Sequence, residues 1–178
     1  MLSYEDWMVH ELRKRGGIKE LSLVAEVNGQ LAGHIICSNA HIITPDGRNV
    51  HVLNFGHVSV LPQYQRQGVG KALMCSMIDK ARSMGHSGIM FFGHPEYYPQ
   101  FGFIESSEYG VTNCYGENYP AFMAMELIEG YLSTVWGGKY YESDIYDDSQ
   151  NAEAVQEFDK SFMKIPMWLH WLIKPDIE

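Results

Sequence analysis

The sequence feature that most constrains the fold is a strand, a glycine loop and a helix that follow one another over residues 55–85. The β-branched and apolar residues at 57–61 predict a short strand, which Pro62 ends. A loop with two glycines follows at 65–70. From Val69 onward, apolar residues recur every three or four positions, which predicts an amphipathic helix that ends near Gly85.

This arrangement predicts a binding site for a phosphate group. The first turn of a helix has N–H groups without acceptors and carries the positive end of the helix dipole. Gly68 and Gly70 let a ligand approach the backbone closely, while Arg66 and Lys71 add positive charge. A strand, turn and helix without any ligand would have the same composition, so both interpretations stay open at this point.

Two common nucleotide-binding motifs do not fit the loop. A P-loop has four residues between its first glycine and a Gly-Lys-Ser or Gly-Lys-Thr sequence. Here Val69 alone separates the two glycines, and Ala72 follows Lys71. A dinucleotide-binding fingerprint has a third glycine at the position that Leu73 occupies. Neither kind of nucleotide site is therefore expected.

The loop sequence QRQGVG at 65–70 instead matches motif A of the GNAT superfamily, the acetyl-CoA-dependent N-acetyltransferases. That motif begins with Gln or Arg, has Gly at its fourth position and has Gly or Ala at its sixth. The match extends through VSVLPQYQRQGVGKAL at 58–73 and continues to GHPEYYPQFGF at 93–103. The chain resembles this family over residues 21–127, and especially its small bacterial members that carry GHPxYYPxFGF.

The resemblance implies acetyl-CoA as cosubstrate, no metal, and a set of residues that bind the cosubstrate. In this family, two parallel strands splay apart after motif A, and the pantetheine arm pairs with the backbone of the first strand. Val58, Ser59 and Val60 would hold the pantetheine arm and the acetyl carbonyl, which is compatible with core packing of the two valines. The pyrophosphate would be bound, chiefly through backbone N–H groups, by Arg66, Gln67, Gly68, Val69, Gly70 and Lys71.

The implied chemistry is direct attack of a neutral amine on the thioester. It needs a base or a water chain, a donor for the oxyanion and an acid for the departing thiolate. Tyr98 occupies the tyrosine of the family's Tyr-x-x-x-Gly-Phe signature and is the predicted acid, with Tyr97 as the alternative. A phenol with a pKa of ~10 can protonate a desolvated thiolate. Pro99 and the lack of the family's usual upstream asparagine depart from the family pattern.

The predicted general base is His57, because imidazole titrates near neutral pH and some relatives have a glutamate close to this position. His94 and Glu96, which follow the next strand, are alternatives, as is a water chain without a single base. Cys75 lies inside the motif A helix, so the sequence predicts a packing role for it and not a nucleophile.

The whole pattern predicts an α/β (α+β) fold of the GNAT type, with a mixed, mostly antiparallel central sheet and flanking helices. Asn28-Gly29 predicts a hairpin turn, and a second turn is expected at 45–47. An irregular loop at 105–120 is expected over the active cleft. Strands are predicted at 21–27, 30–43, 50–61, 88–92, 121–128 and 135–141, with helices at 4–15, 69–85 and 152–163 and a helix or turn at 95–101.

The 178 residues are expected to form one N-acetyltransferase domain, 1–178, with a core at 21–128 and a C-terminal extension at 129–178. The apolar segment 168–173 is expected to dock onto that domain. The strand at 21–27 would have an open edge. Either the segment 135–141 or a second copy of the chain in a symmetric dimer would cover it.

Composition restricts the possible partners. A net charge of −9 argues against nucleic acid and anionic membranes and suits an amine-bearing acceptor, either a small molecule or a protein. Three widely spaced cysteines without a metal-ligand pattern, and no signal peptide, fit a cytoplasmic protein. The sequence thus predicts acetyl transfer to a primary amine. The alternative is a non-catalytic acyl-CoA-binding sensor or interaction module of the same fold, and Tyr98 favours catalysis.

Overall fold

The structure, a computed structural model, describes residues 4–56 and 58–162, and a mixed β-sheet lies at its centre. The strands are β1 (Gly17–Val27), β2 (Gln30–Ile43), β3 (Asn49–Phe55), β4 (Ser59–Val60), β5 (Gly88–Phe92), β6 (Ile104–Glu105), β7 (Thr112–Asn113), β8 (Phe122–Glu126) and β9 (Lys139–Tyr141). The helices are α1 (Tyr4–Glu11), α2 (Val69–Ser83) and α3 (Asp148–Phe162), with a π-helical turn at Leu12–Gly16 and 3₁₀ turns at Pro62–Tyr64, Tyr98–Phe101, Ser106–Tyr109, Leu132–Val135 and Asp144–Tyr146.

The strand order is β6-β8-β5-β3-β2-β9-β7, and β1 and β4 also pair with β2. The pairs β3–β5 and β7–β9 are parallel, and the other pairs are antiparallel. This confirms the predicted mixed, mostly antiparallel sheet with flanking helices. The predicted base, His57, and the apolar segment 168–173 lie outside the described residues.

The first hairpin forms where the sequence predicts it. Asn28 and Gly29 both adopt left-handed backbone conformations, with φ of 52° and 77°, and Val27 pairs with Gln30 across the turn. Two consecutive left-handed residues define the turn whose twist matches that of paired strands. Besides β1, the strand β2 pairs with β3, β4 and β9.

The motif A helix, α2, packs its apolar face on one side of the sheet. Its buried residues are Leu73, Met74, Met77, Ile78 and Ala81. Gly85 ends the helix in a left-handed conformation. In this conformation His86 N–H donates to Ala81 O (3.1 Å) and Gly85 N–H donates to Arg82 O (3.0 Å). These two bonds satisfy carbonyl groups that the end of a helix leaves without partners.

The predicted strand at 50–61 is divided into two pieces. β3 pairs with β2 as far as Phe55 opposite Cys37, whereas β4 resumes the pairing with Ser59 opposite His34. Between these pairs the β3–β4 strand has one residue more than β2, which is a β-bulge. A side chain on Gly33 would lie 2.6 Å from Ser59 O, so the close approach of β4 to β2 requires glycine there.

The bulge opens a gap between two neighbouring parallel strands. β3 is paired with β5 at Leu53 and Ile89, as predicted, but β4 pairs with β2 and not with β5. β5 continues to Phe92 alongside β8. We call the place where β4 and β5 separate the fork.

The C-terminal part of the chain completes the sheet differently from the prediction. β9 pairs with His41–Ile43 of β2 and does not cover β1, so the prediction that 135–141 covers the edge of β1 is wrong. The reason is that β1 pairs with β2 only as far as Ser38, which leaves that part of β2 open for β9. The segment 105–120 is also more regular than predicted, since β7 and a 3₁₀ turn lie within it.

The two faces of the sheet have different coverings. Leu53, Phe55 and Phe91 point to the face that α2 covers. Ile36 points to the opposite face, where it packs against Trp7 and Met8 of α1. Among the described residues, no helix has both the length and the apolar character that crossing a membrane requires.

Candidate active site

The N-terminus of α2 presents N–H groups without helical acceptors. The first helical hydrogen bond runs from Ala72 N–H to Gly68 O (2.9 Å), so the N–H groups of Val69, Gly70 and Lys71 precede it. Gly68 has a φ of 88°, a conformation that side chains disfavour, and it turns the chain into the helix. This geometry matches that of a phosphate site at a helix N-terminus.

The loop before the helix is held in place by two amide side chains. Gln65 Nε2 donates to Val60 O (3.0 Å), which ties the loop to β4. Gln67 Nε2 donates to Gln63 O (2.7 Å). Arg66 has a φ of 59°, which is uncommon for a residue other than glycine and indicates local strain. The shape of the loop is therefore fixed by its own contacts.

Gly70 connects this loop to the fork. A Cβ atom on Gly70 would lie 3.6 Å from Val60 Cγ2 and 3.8 Å from the hydroxyl oxygen of Tyr97. These are ordinary van der Waals distances, so the first turn of α2, β4 and Tyr97 are neighbours. Tyr97 is 41% exposed, and its hydroxyl lies beside the helix N-terminus.

β4 keeps one backbone edge open toward the fork. Leu61 N–H donates to Ala32 O of β2 (2.8 Å). Because successive residues of a strand direct their N–H groups to opposite edges, the N–H of Val60 faces away from β2. Val58 packs partly buried against the apolar cluster under α2, and Ser59 lies opposite His34. An extended ligand in the fork could pair with the open edge.

Tyr98 lies among aromatic side chains on the α2 face of the fork. Its ring centroid is 4.6 Å from that of Phe91 and 5.9 Å from that of Phe55. Gly93 makes room for the ring, since a Cβ atom there would lie 2.4 Å from Tyr98 Cε2. Burial, with a smaller effect of Tyr97, raises the pKa of Tyr98 to about 12. Tyr98 therefore holds its proton at neutral pH.

The two tyrosines of the pair point to different places. The ring centroids of Tyr97 and Tyr98 are 5.1 Å apart and nearly perpendicular. His94 and Glu96, the alternative bases, are exposed, and the His94 carbonyl accepts bonds from the N–H groups of both tyrosines (3.0 and 3.3 Å). Tyr97 is thus the neighbour of the helix N-terminus, and Tyr98 is the neighbour of the fork.

A groove runs along α2 beside the loop at 65–70. It lies between that helix and the Tyr98–Phe101 turn and is lined by Lys71, Cys75, Ile78, Asp79, Arg82, Gln100 and Phe101. Cys75 is exposed there, so the prediction that it packs in the core is wrong. The buried positions of α2 leave Cys75 on the outer side of the helix, in a groove that also holds Lys71 and the ion pair of Arg82 with Asp79 (3.8 Å).

A polar contact on the opposite face of the fork was not predicted from the sequence. Asn54 Nδ2 donates to Glu142 Oε2 (2.9 Å), although 88 positions separate the two residues. Asn54 interrupts the buried apolar residues of β3, which is a possible sequence signal, but nothing local points to Glu142. Desolvation raises the pKa of Glu142 to about 7, partly offset by the bond from Asn54. Within the described residues, no group of His, Cys, Asp and Glu could hold a metal ion.

Comparison with known proteins agrees with this geometry. A family model described as an acetyltransferase (GNAT) domain matches residues 5–105. The uncharacterized N-acetyltransferase YjhQ of Escherichia coli (strain K12) is 37% identical over 84 residues, which are 47% of this chain and 45% of that protein. The chain therefore spans less than half the length of this curated relative.

Solved structures of GNAT acetyltransferases share the fold. The N-acetyltransferase YhbS from Escherichia coli, in complex with CoA, has a TM-score of 0.67 at 26% identity and covers 78% of this chain and 76% of its own. A GNAT acetyltransferase from Brucella melitensis, in complex with acetyl-CoA, has a TM-score of 0.52 at 32% identity, with coverages of 67% and 66%. Since the family model spans more than half of the 178 residues, the chain belongs to the GNAT family of acetyltransferases.

Proposed function

We propose that the protein transfers an acetyl group from acetyl-CoA to the primary amine of an acceptor by direct attack. The observation that carries this proposal is the fork, whose open edge on β4 leads to the N-terminus of α2. A slot with backbone donors at one end and an anion site at the other suits an extended thioester with a pyrophosphate group. The CoA and acetyl-CoA bound to the similar structures support the same ligand.

Acetyl-CoA would bind along β4 and across the first turn of α2. The backbone of Val58, Ser59 and Val60 would pair with the pantetheine arm. The pyrophosphate would accept bonds from the loop residues Arg66, Gln67, Gly68, Val69, Gly70 and Lys71. The groove beside α2 continues from Lys71 and would offer Arg82, which lies 3.8 Å from Asp79, to the remaining phosphate of the nucleotide.

Tyr98 would protonate the departing thiolate. Its position among Phe55 and Phe91 supports this role, because the same aromatic surroundings would desolvate the sulfur. Desolvation raises the pKa of a thiol, so a thiolate in these surroundings is a stronger base toward the Tyr98 proton than a thiolate in water. Tyr97, whose hydroxyl lies beside Gly70, would serve the phosphate end of the cosubstrate instead.

The acceptor is an amine-bearing small molecule or protein, which the net charge of −9 favours electrostatically. A cytoplasmic location is part of the proposal, since all three cysteines are free. A homodimer is also part of it. In the described part of the chain, no strand pairs with the outer edge of β1, and a second copy could pair there.

The test is CoA release from acetyl-CoA in the presence of three primary amines. The probes are spermidine, 2-phenylethylamine and a tripeptide that contains lysine. We expect at least one amine to accelerate CoA release and to be recovered as its acetamide. Binding of acetyl-CoA without acetamide from any probe would contradict catalysis and favour a sensor of the same fold.

A further inference from the structure

One carboxylate lies at the fork on the face that the cosubstrate site does not use. Leu53 is the β3 residue paired with β5, and Asn54 follows it directly, where the two strands begin to separate. Leu53 and Phe55 face α2, so Asn54 faces the other side of the sheet. Its amide holds Glu142 at 2.9 Å. Glu142 is therefore fixed at the opening of the fork.

The strand that precedes Glu142, β9, also contacts the other side of the fork. Tyr140 lies two residues earlier in the chain, and its hydroxyl donates to Met90 O (3.0 Å). Met90 follows Ile89, the β5 residue that pairs with β3. In the antiparallel pairing with β8, Gly93 N–H donates to Ala121 O, so the carbonyl of Met90 points away from β8 and toward the fork. The segment around Tyr140 thus spans the fork on the face opposite α2.

The surroundings of Glu142 combine exposure with close protein contact. Its side chain is exposed to solvent, yet enough protein surrounds the carboxylate that desolvation raises its pKa to about 7. The titratable groups around it are Tyr4 of α1, Tyr140 of β9, Tyr146 of the following turn and Asp147 before α3.

In the part of the chain that the structure describes, no cation is among these neighbours. Tyr4 donates to the carbonyl of Ile145, and Tyr146 shares a hydrogen bond with Ser38 Oγ (2.9 Å). Asp147 is the charged group that acts on Glu142, and both carboxylates are negative when ionised. An ammonium group beside Glu142 would therefore supply the opposite charge that the ionised carboxylate does not have among its described neighbours.

We infer that Glu142 is the general base that accepts the proton of the acceptor's ammonium group, in the place for which His57 was the sequence-based candidate. This inference rests on the proposed acetyl transfer. One proton passes from the ammonium to the Glu142 carboxylate and then to solvent. The nitrogen lone pair forms the C–N bond, the nitrogen releases its second proton to solvent, and the C–S bond breaks with its electrons on sulfur. The thiolate takes a proton from Tyr98, which regains one from water.

Tyr98 and Glu142 lie on opposite faces of the fork, which suits this sequence of steps. Tyr98 packs with Phe91 on the α2 face, and Glu142 meets Asn54 on the opposite face. An amine that approaches from the Glu142 side attacks the carbonyl carbon from the face away from Tyr98. The proton acceptor and the proton donor then act on separate sides of the thioester and do not exchange protons directly.

The test is the pH dependence of kcat/KM for Glu142→Gln, with the amine probes named above. The glutamine oxygen can still accept the bond from Asn54, so we expect the fold to be kept. Wild-type kcat/KM should fall as the pH drops through about 7, and this limb should be absent in the variant. At pH 8 the variant should lose roughly 10²–10⁴-fold in rate, the usual contribution of a general base.

Two further variants make the result specific. Glu129→Gln makes the same carboxylate-to-amide change at an exposed position beyond β8 and should leave both rate and pH limb unchanged. Asn54→Ala removes the bond that lowers the pKa of Glu142, so its limb should move to higher pH. If Glu142→Gln keeps the wild-type limb, or if His57→Gln removes it instead, the inference is wrong.

An acceptor-free measurement separates this inference from the proposed function. In protein with ¹³C-labelled glutamate carboxyls, we expect one resonance that titrates near pH 7, is missing in Glu142→Gln, and shifts when acetyl-CoA is added. If wild-type protein releases no CoA but this resonance shifts, the proposed catalysis fails while the placement of Glu142 at the fork stands. A Glu142 resonance that ignores acetyl-CoA overturns the inference whatever the activity.

Discussion

Substitution of Gly70 tests the phosphate site with little risk to the fold. Gly70 is the second residue of α2, and it is not among the glycines with a left-handed conformation. A Cβ atom there meets Val60 Cγ2 at 3.6 Å and the Tyr97 hydroxyl at 3.8 Å, which are ordinary contacts. Gly70→Ala should therefore fold normally. Gly70→Glu should fold as well, because a carboxylate in the first turn of a helix adds about 0.3–1 kcal/mol of stability.

The expected effect is on ligand binding. At 100 times its Kd, acetyl-CoA stabilises a protein that binds it only in the folded state by about 2.7 kcal/mol. For a chain of this size, 1 kcal/mol corresponds to roughly 2–4 °C, so wild-type Tm should rise by roughly 5–11 °C. In Gly70→Glu the new carboxylate would occupy the pyrophosphate position and repel it, so the rise should vanish.

Thermal unfolding with and without acetyl-CoA measures this effect, and Gly70→Gln is the matched control. Gln has the size of Glu without its charge, so it separates steric blocking from electrostatic repulsion. We expect Gly70→Ala to keep most of the shift and Gly70→Gln to keep part of it. A Gly70→Glu protein with a wild-type shift would refute the assignment of the phosphate to the α2 N-terminus.

Three other predictions can be tested with the same material. Tyr98→Phe should lower turnover by roughly 10²–10⁴-fold with little change in the acetyl-CoA thermal shift, and a loss confined to Tyr97→Phe would move the acid by one residue. Relative to Glu142→Gln, the wild-type protein should lose stability as pH rises from 4.5 through about 7, because its folded state holds that proton more tightly; equal pH curves would contradict this. Light scattering should give a particle of twice 20.3 kDa if a second copy covers β1, and a monomer at micromolar concentration would exclude the dimer.

The parts of the fold that the sequence predicts well are those that depend on local contacts. Asn28-Gly29 determines a turn by its own backbone preferences, and the structure confirms it. The α2 helix follows from its apolar period and its terminal glycine. The same apolar period leaves Cys75 on the exposed side of the helix. The packing role predicted for it was therefore wrong, although the period itself indicated exposure.

The parts that the sequence does not predict depend on distant segments. The bulge between β3 and β4 is defined by register against β2, and the alternating residues at 50–61 are equally compatible with one continuous strand. The Asn54–Glu142 contact joins segments 88 positions apart. The segment that forms β9 was one of the two covers expected for β1, but the open part of β2 that receives it exists only because β1 ends opposite Ser38. None of these three features can be predicted without knowing which strands pair with each other.

The two faces of the fork give different surroundings to Tyr98, the proposed proton donor, and to Glu142, the proposed proton acceptor. Alternate residues of a strand face opposite sides of the sheet, so neighbours in sequence have unrelated surroundings. On one face, aromatic rings raise the pKa of Tyr98 to about 12, and it keeps its proton. On the other, the bond from Asn54 limits the rise for Glu142, whose pKa of about 7 lets it accept a proton at neutral pH. When the surroundings of two titratable groups push their pKa values apart, the group with the higher pKa suits the role of acid and the other suits the role of base. The thioester in the fork would lie between these two environments.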